Sequence, residues 1–106
     1  MNLVSYQINT MSGEIVCPGD KSISQRILII GSILNCDMEI DGFLDSADPN
    51  STLNALNEIG ASIKKDQEKV FLNKRNIPFH EPVNDLDLGN SGTGARLILG
   101  LISGLG

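Results

Sequence analysis

Pro18-Gly19-Asp20-Lys21-Ser22-Ile23-Ser24-Gln25-Arg26-Ile27-Leu28-Ile29-Ile30 is the stretch on which the fold turns. Pro18 and Gly19 interrupt an extended segment, and Asp20 is a helix N-cap, since its carboxylate can accept an N–H from the open first turn. Ile23, Ile27, Ile30 and Leu34 then recur at helical spacing and predict a mostly buried helix. A strand that passes through a Gly-containing turn into an apolar helix is a building unit of α/β proteins.

Outward from this stretch, the pattern repeats. Upstream, Leu3–Ile8 alternates, Thr10–Gly13 supplies turn formers and Glu14–Cys17 resumes extension, which predicts two short strands. Downstream, Asp37–Phe43 alternates as a short strand with a bend at Gly42. Ser46, Asp48 or Asn50 caps a helix over Pro49–Ile59 that carries a Leu53, Leu56, Ile59 stripe and stops at Gly60. Ala61–Lys65 and Lys69–Asn73 predict a hairpin around Asp66, Gln67 and Glu68. Pro78 and Pro82 bracket a surface connection, Val83–Leu88 alternates again, and a Gly-rich turn at Gly89–Gly94 leads into a third helix near Ser91. The expected class is α/β: one βαβαββ unit over residues 18–82, preceded by strands within 1–17 and followed at 83–106 by the start of a second unit. The two strand-to-helix turns echo one another as a weak internal repeat.

The 106 residues carry a formal net charge of -5, which excludes a general nucleic-acid or anionic-membrane binder; those need clustered cationic surface. The run Ile27–Leu34 is too short to cross a bilayer. Cys17 and Cys36 predict free thiols in a reducing cytoplasm rather than a disulfide. Lys64, Lys65, Lys69, Lys74 and Arg75 group as solvated hairpin charge, whereas Lys21, Arg26 and Arg96 each stand beside a glycine-containing turn. His80, between two prolines and without a ligand-spaced partner, is a loop residue. Asp45, Asp48, Asp85 and Asp87 fall at element ends, where capping is the ordinary role. No catalytic residue and no metal ligand is assigned.

Each of the two turns leaves backbone N–H groups open at a helix N-terminus, where the dipole and a nearby cation favour phosphate or carboxylate. Lys21 supplies a mobile charge, Ser22 and Ser24 hydroxyls, and Arg26 a planar fork. In the second turn, glycines allow close approach, Asn90 both donates and accepts, and Ser91 and Thr93 add hydroxyls. Nucleotide loops are disfavoured: Gly89–Gly94 has P-loop spacing, but Ala95 and Arg96 stand where Lys and Ser or Thr are required. Gly92-Thr93-Gly94-Ala95-Arg96-Leu97 likewise lacks the last glycine of a dinucleotide fingerprint.

Pro18-Gly19-Asp20-Lys21-Ser22-Ile23-Ser24-Gln25-Arg26 and Leu88-Gly89-Asn90-Ser91-Gly92-Thr93-Gly94-Ala95-Arg96 resemble the first and second substrate-binding signatures of the EPSP synthase family. Leu44-Asp45-Ser46-Ala47-Asp48 and Thr52-Leu53-Asn54-Ala55-Leu56 between them resemble the same family's pattern. The related UDP-N-acetylglucosamine enolpyruvyl transferases have Ala-Lys-Asn against Asp20-Lys21-Ser22, which favours the shikimate branch. The resemblance implies an enolpyruvyl-transferase domain of inverse α/β barrel type, in which the first strands pair with a second domain encoded later in a longer chain. It implies transfer of enolpyruvyl from phosphoenolpyruvate to shikimate 3-phosphate by addition and elimination, without metal or organic cofactor. Lys21 would contact both substrates, Ser22 and Arg26 would bind the shikimate side, Asn90 would bind phosphoenolpyruvate, and Gly92 would leave room beside it. Glyphosate would occupy the phosphoenolpyruvate site. Catalytic acid and base groups would come from the missing C-terminal portion, so this chain alone is expected to be inactive. Two positions depart from the family: Gln25 stands where His is common, and Leu97 where some members have Pro. The competing classes are a small anion-binding module and a purely structural fragment.

Overall fold

Asp20 starts a helix as its chemistry requires. In the computed structural model of the chain it is extended, at φ -82 and ψ 137, and its carboxylate accepts the Ile23 N–H at 2.8 Å. The structure describes residues 2–105; Met1 and Gly106, the outer ends of the expected 1–17 and 83–106 segments, lie outside the described residues. Helix α1 (Lys21–Leu34) ends at Asn35, whose φ of 51 is a left-handed conformation that Asn tolerates better than most side chains.

The buried face of α1 is not the expected one. Ser24, Gln25, Leu28, Ile29, Gly31 and Ser32 point inward, while Ile23, Ile30 and Leu34 remain 58%, 55% and 62% exposed. Because α1 is apolar around most of its circumference, spacing did not single out a stripe, and small residues decide which side approaches the sheet. A Cβ at Gly31 would stand 2.6 Å from Leu72 Cδ2, so the α1 backbone lies directly against the next layer. Ser32 satisfies its buried hydroxyl by donating to Leu28 O at 2.7 Å.

That layer is a three-stranded antiparallel sheet ordered β1-β3-β2, from β1 (Met38–Ile40), β2 (Ser62–Asp66) and β3 (Lys69–Asn73). Met38 and Ile63 both lie opposite Leu72, so β3 is the central strand. The expected hairpin forms with a tighter turn: Asp66 pairs with Lys69, leaving Gln67 and Glu68 to reverse the chain, Gln67 at φ 54. Helix α2 (Ala47–Glu58) begins slightly before the expected Pro49. Pro49 therefore occupies the first turn, where its missing N–H breaks no helical bond. Gly60, at φ +113, ends α2, and Asn57 holds the start of β2 by donating to Ile63 O at 3.0 Å and accepting Ile63 N–H at 2.9 Å.

Helix α3 (Gly92–Leu105) packs on α1 and α2, adding Ile98 and Leu101 to a core of Leu28, Phe43, Leu53, Leu56, Ile63, Val70 and Leu72. Each such side chain contributes about 1.5–3 kcal/mol by leaving water. The element order α-β-α-β-β-α keeps the α/β class.

The strands expected at Leu3–Ile8, Glu14–Cys17 and Val83–Leu88 are not formed: residues 2–20 and 74–91 contain neither helix nor strand. A strand exists through its ladder, and none of these segments pairs with β1, β2 or β3. Val16 and Val83 are accordingly 93% and 94% exposed.

The hairpin cations also divide differently. Lys65 turns to Asp45 and Asn50, and Lys69 to Glu39 at 3.0 Å. Arg75 is no solvated charge. Its Nη1 donates to Ser32 O, its guanidinium lies 3.8 Å from the Phe79 ring centre, and Asn35 bonds both its N–H and its carbonyl, at 2.9 and 3.2 Å. This clamp fastens the end of α1 to the exit of the hairpin.

Candidate functional site

The N-terminal ends of α1, α2 and α3 meet. Lys21 Nζ lies 3.2 Å from Asp48 Oδ2 in the first turn of α2. Gln25 Nε2 reaches Ser91 Oγ, just before α3, at 2.7 Å and Thr52 Oγ1 of α2 at 3.3 Å. A Cβ at Gly89 would stand 3.2 Å from Ser51 Oγ. Three helix starts thus present open N–H groups and positive dipole ends to one region, a field that attracts phosphate and carboxylate.

The five expected binding residues are distributed over two of these turns. On α1, Lys21 and Arg26 are exposed and Ser22 is half-buried, with Arg26 Nε donating to Ser22 O at 3.3 Å. At α3, Asn90 and Gly92 are exposed. A Cβ at Gly92 would meet only the Arg96 guanidinium, at 3.8 and 3.9 Å, so Arg96 folds back over the turn and adds a cation there. The Gln25–Ser91 bond holds the two turns side by side.

Two of the hydroxyls that the sequence offers to a ligand face the fold instead. Ser24 is buried and its Oγ accepts the Leu44 N–H at 3.2 Å. Ser91 Oγ accepts the Gly94 N–H at 2.9 Å and so caps α3. Ser22 and Thr93, both half-buried, remain at the turns. Packing here leaves little room: a Cβ at Gly94 would sit 2.7 Å from Ser91 Oγ and 2.8 Å from Thr52 Oγ1, and one at Gly19 only 2.2 Å from Gly42 O.

Asp48 is the functional neighbour that sequence reasoning missed. It reads as a capping carboxylate, and nothing local signals that it faces Lys21; the contact depends on how α2 packs against α1. Asp45, hydrogen-bonded first by Asn50 and then by Lys65, is held below the ordinary carboxylate value. Asp87 closes its own turn by accepting the Gly89 N–H at 2.8 Å. His80 is exposed in its loop, with its N–H donating to Ile59 O at 2.9 Å. Among the described residues, no three His, Cys, Asp or Glu gather in a metal-binding group. No helix of the described residues is long and apolar enough to cross a membrane. Cys17 and Cys36 are exposed free thiols.

The profile of the EPSP synthase (3-phosphoshikimate 1-carboxyvinyltransferase) family matches residues 5–106. A 3-phosphoshikimate 1-carboxyvinyltransferase of Petrotoga mobilis is 50% identical over 95 residues, covering 88% of this chain and 22% of the relative. One from Streptococcus uberis is 45% identical over 104 residues, covering 95% and 24%. The solved EPSP synthase from Acinetobacter baumannii superposes with a TM-score of 0.78 at 34% identity, over 86% of this chain and 21% of that one. The chain therefore spans 22–25% of the length of the curated relatives it matches. With both signature turns present in the matching fold, the chain belongs to the EPSP synthase family.

Proposed function

We propose that this chain is the N-terminal part of an enzyme that transfers enolpyruvyl from phosphoenolpyruvate to shikimate 3-phosphate, giving EPSP and phosphate in aromatic amino acid biosynthesis. The observation that carries the reading is the convergence of three helix starts at two turns bearing Lys21, Arg26 and Arg96. Lys21 bridges both substrates, Ser22 and Arg26 hold shikimate 3-phosphate, and Asn90 binds phosphoenolpyruvate beside Gly92. The 5-hydroxyl oxygen loses its proton and adds to C2 of phosphoenolpyruvate as C3 gains a proton; loss of a C3 proton and of phosphate from C2 then restores the double bond. These residues bind and orient. Lys21 and Arg26 carry positive charge, and the carboxylates nearest the turns are engaged with Lys21, Lys65 or the Gly89 N–H. As the family resemblance implies, the acid and base groups lie in later segments of a longer protein, and the chain alone is inactive.

Residues 1–17 supply strands that pair with the rest of a longer protein, 18–82 form the first repeated unit and 83–106 begin the second. The exposure of Ile15, Val16 and Val83 supports that reading. The exposed thiols of Cys17 and Cys36 suit a reducing cytoplasm.

A two-dimensional NMR titration of the chain with shikimate 3-phosphate, with and without phosphoenolpyruvate, tests the proposal. Dispersed peaks that move around Lys21, Ser22 and Arg26 are expected. Dispersed peaks that do not move would leave a structural fragment, and EPSP formation by the chain alone would overturn the assignment of proton transfer to other segments.

A further inference from the structure

Gln25 is fully buried, yet its side-chain Oε1 has no hydrogen-bond partner. Its Nε2 contacts Ser91 Oγ at 2.7 Å and Thr52 Oγ1 at 3.3 Å, so one amide of α1 joins the N-terminal half of α2 to the residue that caps α3. An apolar side chain of the same length would fill this space without leaving a buried oxygen unsatisfied. The same atoms crowd Gly94, whose added Cβ would lie 3.1 Å from Gln25 Nε2. Ser91 in turn caps α3 by accepting the Gly94 N–H. A hydroxyl both donates and accepts, so the amide can bond Ser91 in either of its two orientations.

We propose that Gln25 is a positioning residue: through Ser91 it sets the second anion-binding turn, Asn90–Gly94, against the first turn at Lys21 and Ser22. It does not touch the ligand. It fixes the cap of α3 and hence the direction of the N–H groups that follow Asn90. The inference rests on the proposed binding role of the second turn, and it distinguishes the two turns: loss of Gln25 weakens the second and spares the first. The Gln25–Ser91 bond ties α1 to the residue that caps α3, and no other side chain of α1 bonds to residues 88–94.

The test uses the chain with Gln25→Met, which keeps length and removes the amide, Gln25→His, which restores a ring N–H donor, and Ser91→Ala, which removes the acceptor without altering α1. Amide hydrogen exchange and NMR shifts are recorded without ligand and during titration with inorganic phosphate. Gln25→Met is expected to lower protection of the Gly94 amide about tenfold and to shift Asn90–Gly94 with Lys21 and Ser22 unmoved. Phosphate affinity at the second turn should fall about fivefold or more, with partial rescue by Gln25→His, and the Gln25→Met/Ser91→Ala double variant should be no worse than Ser91→Ala. Unchanged Gly94 protection and unchanged Asn90–Gly94 shifts in Gln25→Met would overturn the positioning role. If Gln25→Met does not fold, Gln25→Ala, which removes the amide while leaving the Ser91 cap in place, gives the ligand-free reading, and unchanged Gly94 protection there would equally overturn the role. Altered Gly94 protection with no phosphate response in the unsubstituted chain would uphold the link between the turns and instead count against binding by this chain.

Discussion

Lys21 Nζ sits 3.2 Å from Asp48 Oδ2, so the lysine proposed to meet both substrates already has a carboxylate partner across the α1–α2 junction. The lysine side chain is 56% exposed and the aspartate 25%, and an ion pair this open to water is worth about 0–1 kcal/mol. Its consequence is electrostatic rather than structural: an arriving phosphate competes with Asp48 for the same ammonium.

Asp48→Asn should therefore leave the thermal midpoint nearly unchanged while strengthening shikimate 3-phosphate binding by about two- to fivefold at low salt, an effect that shrinks as salt screens the turn. NMR titrations at two ionic strengths measure this. Weaker binding would mean instead that Asp48 orients Lys21 for the ligand.

Two glycines of the second turn should respond in opposite ways to the same added methyl. Gly92→Ala meets only the mobile Arg96 guanidinium and should change stability by less than about 0.5 kcal/mol. Gly94→Ala drives a carbon into Ser91 Oγ and Thr52 Oγ1 and should cost about 1–3 kcal/mol. Urea unfolding of the pair separates them. In a chain extended to the length of its relatives, Gly92→Ala should also weaken glyphosate inhibition; unchanged inhibition would count against phosphoenolpyruvate binding beside Gly92.

Arg75→Lys should behave as a disruptive change. It keeps the charge but loses the planar stack on Phe79 and the bond geometry to Ser32 O, at a cost of about 1–3 kcal/mol in denaturant unfolding. Lys64→Ala on the exposed side of β2 is the control and should fall within about 0.5 kcal/mol.

Asp45 gives a pH signature. Its carboxyl is lowered from the ordinary 3.8 by Asn50 and Lys65, so its contribution is fully present above that value and is lost as pH falls through the lowered one. The stability difference between the unsubstituted chain and Asp45→Asn should be constant above about pH 5 and shrink below pH 3.8, as followed by circular dichroism in urea at each pH. A difference that grew on acidification would contradict the assignment.

Local chemistry made much of this molecule legible in its residues. Asp20 caps α1 because a carboxylate reaches an N–H three residues on, Gly60 ends α2 because it accepts a positive φ, and Lys69–Asn73 alternates because one face of β3 is core. The two strand-to-helix turns proposed to bind anions were readable for the same reason: their open N–H groups follow from where helices begin. At Leu3–Ile8 and Val83–Leu88 alternation forms no strand in this chain, since pattern specifies which face would be buried and not whether a neighbour is present to complete the ladder.

Contacts between elements were beyond any local pattern. The inward face of α1 was chosen by Gly31 against Leu72, Arg75 was withdrawn from solvent by Ser32 and Phe79, and Asp48 was turned from a cap into the partner of Lys21. Above all, Gln25 reaches Ser91 across 66 positions of chain. Caps, turns and strand periodicity act within a few residues and so are written in residue order; the joining of the two glycine-containing turns depends on how three helices pack, and that geometry exists only in the folded chain.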